Sequence, residues 1–206
     1  MSNLKISRKT FYLLLFVLSF SSSSLVYAGP FGLEMGMTLD QIEIQTGIKP
    51  IISSSGKVYT ITPPKPHSTF NTYVIRVSPT LGLHFIKAIS TNISTSVYGT
   101  ELLHSFNSIK ESIGKTYGKY YQKNALKTGS IWNEEKDWMM GLKLKERDLY
   151  AYWSPDDGSS LPKDITYIQL EAKANSTNIG YLVLDYYFAN DDEATKEIEA
   201  VTDSVF

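Results

Sequence analysis

Three histidines, three clusters of acidic residues and one tryptophan-rich stretch are where this sequence could do chemistry. The histidines, His67, His84 and His104, lie 17 and 20 residues apart, so none has the one-turn spacing of His-x-x-x-His metal ligands. Functionally they would be a shared metal site or a general base. Structurally they would be isolated histidines at or near the surface. The acidic clusters are Glu134-Glu135-Asp137, Asp156-Asp157 and Asp191-Asp192-Glu193. Two carboxylates about 5 to 9 Å apart across a cleft would hydrolyse glycosides. More simply, Glu134-Glu135 and Asp191-Asp192-Glu193 open helices, where acids suit the positive end of the dipole. Asp156-Asp157-Gly158 reads as a turn. No calcium-loop spacing occurs. Ser-x-x-Lys occurs at Ser54 to Lys57 and at Ser112 to Lys115 without its companion motifs, and no Gly-x-Ser-x-Gly elbow is present. Zero cysteine excludes a thiol nucleophile, a zinc ribbon and a disulfide scaffold. These patterns supply no catalytic residue, no metal site and no cofactor.

The most distinctive segment is Ile131 to Trp153, which holds all three tryptophans, Trp132, Trp138 and Trp153, together with Met139, Met140, Lys143, Lys145 and Arg147. Aromatic and methionine-rich surfaces beside basic groups bind partners with large apolar area and adaptable fit. The competing reading packs Trp138, Met139 and Leu142 over a sheet as a lid and puts Trp153 in the core. Tyrosines gather at Tyr117, Tyr120 and Tyr121 and again at Tyr181, Tyr186 and Tyr187. On a strand Tyr186 and Tyr187 point to opposite faces, which leaves one of them wet. Trp132, Trp138, Met139, Met140 and Tyr187 are the candidate partner-binding residues.

The elements that would carry these residues follow an export signal. Lys5, Arg8 and Lys9 precede the apolar run Phe11 to Phe20, and Val26 and Ala28 are small residues placed for cleavage. That is the three-part pattern of a secretory signal peptide over residues 1–28. The run is half the length a bilayer span needs. Cleavage after Ala28 makes Gly29 the first residue and places the protein in the periplasm or outside the cell. It removes three basic residues from a chain carrying 20 basic against 21 acidic, leaving a net charge of −4. That balance argues against a nucleic-acid partner. No later stretch reads as a transmembrane segment.

Residues 29–206 read as one globular domain with two similar halves, 29–98 and 99–206. Thr38 and Gln41 make a capping box before a short helix that Gly47 ends. Strands follow at Lys57 to Thr62, Phe70 to Ser78 and Leu81 to Ser90. In the third, Leu81, Leu83 and Phe85 share a face and His84 opposes them. The second half opens on a long helix from Glu101 to about Tyr121, with Leu102, Leu103, Phe106, Ile109, Ile113 and Tyr117 as its apolar stripe. Strands at Asp148 to Trp153, Asp164 to Ala174 and Asn178 to Phe188 come next, then a final short helix from Asp191. Short turns between consecutive strands make the sheets antiparallel. The expected class is α+β: two helix-then-three-strand meander units with helices packed on one face of the sheet.

The opening Phe31-Gly32-Leu33-Glu34-Met35-Gly36-Met37-Thr38-Leu39-Asp40-Gln41-Ile42, with Gly47, resembles the start of helix-plus-sheet modules in exported bacterial proteins. These include outer-membrane assembly lipoproteins of the BamE/SmpA type and β-lactamase inhibitor proteins built from two such modules. Phe70 to Tyr73 with Leu81-Gly82-Leu83 and Ile86 is similar to their central hairpin. The chain lacks the lipid-bearing cysteine of the first group and the disulfides of the second. The resemblance implies a non-enzymatic binding module that recognises a protein partner in the cell envelope or a secreted protein. The alternative from the residues is a periplasmic hydrolase acting on cell-wall or carbohydrate material through acidic residues. A small apolar ligand between sheet and helices would require an internal cavity.

Overall fold

Local signals start each element of the structure, a computed structural model that describes residues 29–53 and 58–203. The signal peptide expected at 1–28 and the turn expected at Ser54 to Lys57 lie outside the described residues. Helix α1 (Leu39–Thr46) begins with both arms of the capping box: Gln41 N–H donates to Thr38 Oγ1 at 3.2 Å and Thr38 N–H donates to Gln41 Oε1 at 2.9 Å. Gly47, at φ 68°, ends it in the left-handed conformation. Strands β1 (Ile51–Ile52), β2 (Tyr59–Ile61), β3 (Phe70–Ser78), β4 (Gly82–Ser90) and β5 (Ile93–Ser94) follow. Then come helix α2 (Thr100–Tyr117), strand β6 (Tyr121–Leu126), helix α3 (Trp138–Lys143), strands β7 (Arg147–Trp153), β8 (Ile165–Ala174) and β9 (Ile179–Phe188), and helix α4 (Asp191–Asp203).

All nine strands join one antiparallel sheet in the order β1-β2-β3-β4-β9-β8-β7-β6, with β5 also on β9. The class is therefore α+β, with four α-helices against a single sheet among the described residues. The join at the middle is β4 with β9, where Ile86 pairs with Tyr186 and Lys87 with Asp185.

Alternation along these strands makes two unlike faces. Tyr73, Ile75, Ile86, Ala88, Tyr186, Leu184, Leu170, Ile168, Ala151 and Trp153 rise on one side and are buried in one core cluster. Helix α2 lays Leu102, Phe106, Ile109 and Ile113 on them, α3 adds Met139 and Leu142, and α1 adds Ile42. The approach of α2 to β9 is close enough to require glycine: a Cβ at Gly180 would stand 2.4 Å from Leu102 Cδ2. Burying some ten large side chains this way, at about 1.5–3 kcal/mol each, is the main force holding helices to sheet.

Three local readings change. Helix α2 stops at Tyr117, because Gly118 turns the chain at φ 77°, and Tyr121 onward becomes the edge strand β6. Leu83 and Phe85 do not share a face. The β3–β4 register shifts so that Arg76 pairs with Phe85 and Val77 with Leu83, leaving His84 as the extra residue of a bulge. Leu83 thereby enters the core while Phe85 turns to the other side. Finally, helices lie on both faces. Helix α4 bonds Arg76 and Ser78, whose side chains alternate away from core-facing Ile75 and Val77.

Candidate binding face

The face that α1, α2 and α3 leave open carries a continuous row of aromatic rings. Phe85 on β4 meets Tyr187 on β9 at 4.9 Å between centroids. Tyr187 meets Tyr167 on β8 at 5.8 Å, Tyr167 meets Tyr152 on β7 at 5.3 Å, and Tyr152 meets Tyr121 on β6 at 5.1 Å. Tyr150 stacks beside Tyr152 at 6.4 Å. At the other end the Arg76 guanidinium of β3 sits 4.1 Å over the Phe85 ring. The row crosses six adjacent strands, roughly 24 Å at the usual strand spacing. Tyr121 at the edge is 46% exposed, and Tyr150, Tyr152, Tyr167 and Tyr187 are half-buried.

Each ring is apolar over its body and polar at its tip. Burial among its neighbours holds the Tyr167 hydroxyl at about 12, and burial also raises Tyr152 and Tyr187. All three stay neutral hydrogen-bond donors at neutral pH. Charged groups border the row and pair with one another: Lys87 with Asp185 at 3.2 Å, Lys173 with Glu171 at 2.9 Å, and Lys123 with Asp148 at 2.7 Å. Tyr167 O–H donates to Gln169 Oε1 at 3.3 Å. A groove of about 420 Å³ lies at one end of the row, between Tyr167, Tyr187 and the start of α4.

The bulge at His84 builds a histidine–acid pair with Asp191. His84 is 0% exposed, and its Nδ1 lies 2.6 Å from Asp191 Oδ1 at the start of α4. Arg76 Nη2 reaches the same oxygen at 3.1 Å. The other ring nitrogen, Nε2, is buried with no hydrogen-bond partner among the described residues. A histidine backed by an acid has the form of a general base, but a base must reach its substrate, and this ring is sealed. What the pair does is fasten α4 to the sheet, with Glu197 bonded to Ser78 one helical stretch further on.

The tryptophan segment is not one surface. Trp138 is 8% exposed and joins the core, with its ring packed so near Gly99 that a Cβ there would stand 2.3 Å away. Met139 and Trp153 are fully buried in the same cluster. Trp132 and Met140 are half-buried, and the ring contacts that make the tyrosine row do not include Trp132. Of the five candidate residues only Tyr187 stands in that row, and Tyr186 beside it is in the core, as alternation requires. Glu134 is exposed and pairs with Lys136 at 2.7 Å. Among the described residues no three His, Asp or Glu gather as metal ligands, and no helix is long and apolar enough to cross a membrane. A groove of about 270 Å³ opens on the helix side between Phe31, Phe70, Ile113 and Tyr186.

Sequence reasoning passed over Arg76, Phe85, Tyr150, Tyr152 and Tyr167. The signal for Tyr150 and Tyr152 was present, since in Arg147–Trp153 they alternate with Leu149, Ala151 and Trp153. Phe85 was hidden by the bulge. Comparison with known protein families, with curated proteins and with solved structures gives no match.

Proposed function

We propose that this chain is exported to the periplasm or beyond it and acts there as a non-enzymatic binding module that recognises an envelope or secreted protein through its open sheet face. The observation that carries the reading is the row Arg76–Phe85–Tyr187–Tyr167–Tyr152–Tyr121. Tyrosine and arginine are the residue types that dominate protein interfaces, because they bring large contact area and a polar tip at small entropic cost. Five of the six strands under the row, β3, β4, β9, β8 and β7, are paired on both sides and β6 is the edge, so little ordering cost attends binding. The bordering charges pair in place and do not converge on a cleft, which favours recognition over catalysis. The basic, apolar and small-residue pattern of residues 1–28 supports export.

The chain also reads as two units joined edge to edge. Strands β2 to β4 follow α1, and β7 to β9 follow α2 and the inserted β6 and α3. The last strand of each set, β4 and β9, meets the other antiparallel at the centre of the sheet. This arrangement agrees with the resemblance of the opening segment to exported two-module binders.

The hydrolase reading has one observation in its favour, the His84–Asp191 pair. Its sealed Nε2 weighs against it. Capture from envelope extracts tests the proposal. Wild type and Trp132→Ala are expected to retain the same protein, and the double variant Tyr152→Ala/Tyr167→Ala to lose it. Retention by the double variant and loss by Trp132→Ala would move the site to the tryptophan segment.

A further inference from the structure

We propose that Asp185 anchors a guanidinium-binding subsite within the open face, built to take an arginine side chain of the partner; this deepens, and rests on, the reading of that face as a binding surface. Asp185 sits on β9 with Lys87 beside it on β4 and Gln169 beside it on β8. The residue is 9% exposed. Its Oδ2 meets Lys87 Nζ at 3.2 Å, while its Oδ1 is buried with no hydrogen-bond partner among the described residues. A buried carboxylate with one oxygen unused is costly, and nothing in the core calls for an acid there, since the side chain rises on the face away from the helices.

The cost falls where the surroundings suit a flat cation. Tyr187 stands two residues along β9 on the same face, with Phe85 and Tyr167 against its ring, and Phe85 already receives two cations: the Arg76 guanidinium at 4.1 Å and the Lys87 ammonium at 5.7 Å. Rings and a carboxylate together hold guanidinium well. Lys87 is the occupant supplied by the chain itself, and it fits incompletely. An ammonium is a compact charge that reaches one oxygen, whereas guanidinium offers two parallel N–H donors matched to both. The Lys87 side chain is 35% exposed on a flexible stem, so it can swing outward when a better-fitting cation arrives. Burial pushes the Asp185 carboxyl up despite Lys87 nearby, so the folded chain alone does not fully stabilise the charge.

The probe is N-acetyl-arginine amide, titrated against the protein and followed by nuclear magnetic resonance of the aromatic rings, with N-acetyl-citrulline amide as the neutral isostere. Arginine is expected to shift Phe85, Tyr167 and Tyr187 signals with millimolar affinity, and citrulline to leave them in place. Asp185→Asn is expected to weaken the response about tenfold or more. Lys87→Ala is expected to tighten it several-fold by removing the internal competitor, with Lys87→Gln giving the same direction should the alanine variant fold poorly. Equal shifts with citrulline, an unchanged response in Asp185→Asn, or no tightening in both Lys87 variants would overturn the subsite. Such a failure, with capture still lost in the tyrosine double variant, would leave the open-face reading standing.

Discussion

The two faces of this sheet are made by the same strands and share almost no chemistry. On one side Ile168, Leu170, Leu184, Ala151 and Trp153 vanish under helices. On the other, one residue along, Tyr167, Gln169, Asp185 and Tyr152 stand side by side with no helix over most of them. Both faces are rich in large side chains, but the covered one is mainly apolar. Period-two alternation thus sorts one sequence into a face that makes the fold and a face that the fold merely holds in place. The open face carries a row of rings packed on one another and, at Asp185, a buried carboxylate oxygen without a hydrogen-bond partner among the described residues. Residues kept at a cost to stability mark places shaped by function.

The contrast can be broken or sharpened by substitution. Phe106→Ala removes a fully buried ring between α2 and the sheet, and about 3–5 kcal/mol of stability should go with it, read by urea unfolding. His84→Ala deletes the buried partner of Asp191 and leaves it paired with Arg76. A loss of about 2–3 kcal/mol is expected, with faster hydrogen exchange in α4 than in α2. Equal exchange in both helices would show that the pair does not fasten α4. Tyr167→Ala, on the open face, should cost only about 1 kcal/mol while abolishing partner capture; a loss as large as that of Phe106→Ala would make the row structural.

Asp185→Asn should act in the opposite sense. Its carboxyl is raised in the folded chain, first by burial. A raised value means that ionisation disfavours folding: the native state is better off below the unfolded value, near 3.9, and loses that advantage as pH climbs through the folded value. The asparagine variant escapes this penalty. Its melting temperature is therefore expected to exceed that of wild type at pH 7, with the gap closing toward pH 3. A lower melting temperature at pH 7 would show that the Lys87 pair outweighs burial.

Much of the fold is legible from local pattern. The capping box at Thr38, the stripe of α2 and the spans of β3, β8 and β9 are each set by neighbours in sequence, and they form where expected. What was not legible depends on contacts between distant segments. The bulge that turns Phe85 outward is fixed by the pairing of β4 with β3, and it reverses the meaning of every alternation beyond it. The tyrosine row is legible only once the strand order is known, because its members come from β6, β7, β8 and β9, and β9 lies next to β4 rather than at an edge. The tryptophan segment follows its packing reading, with Trp138, Met139 and Leu142 laid over the sheet and Trp153 in the core. Clustering in sequence placed Trp138 and Trp153 on different elements of one core.

The central claim is that the open tyrosine face meets the partner. Replacing Tyr152, Tyr167 or, as a control, Trp132 with a photo-crosslinking phenylalanine analogue in the exporting cell tests it most directly. The account predicts one discrete adduct from positions 152 and 167 and none from 132. Adducts from 132 with none from the tyrosine positions would contradict it.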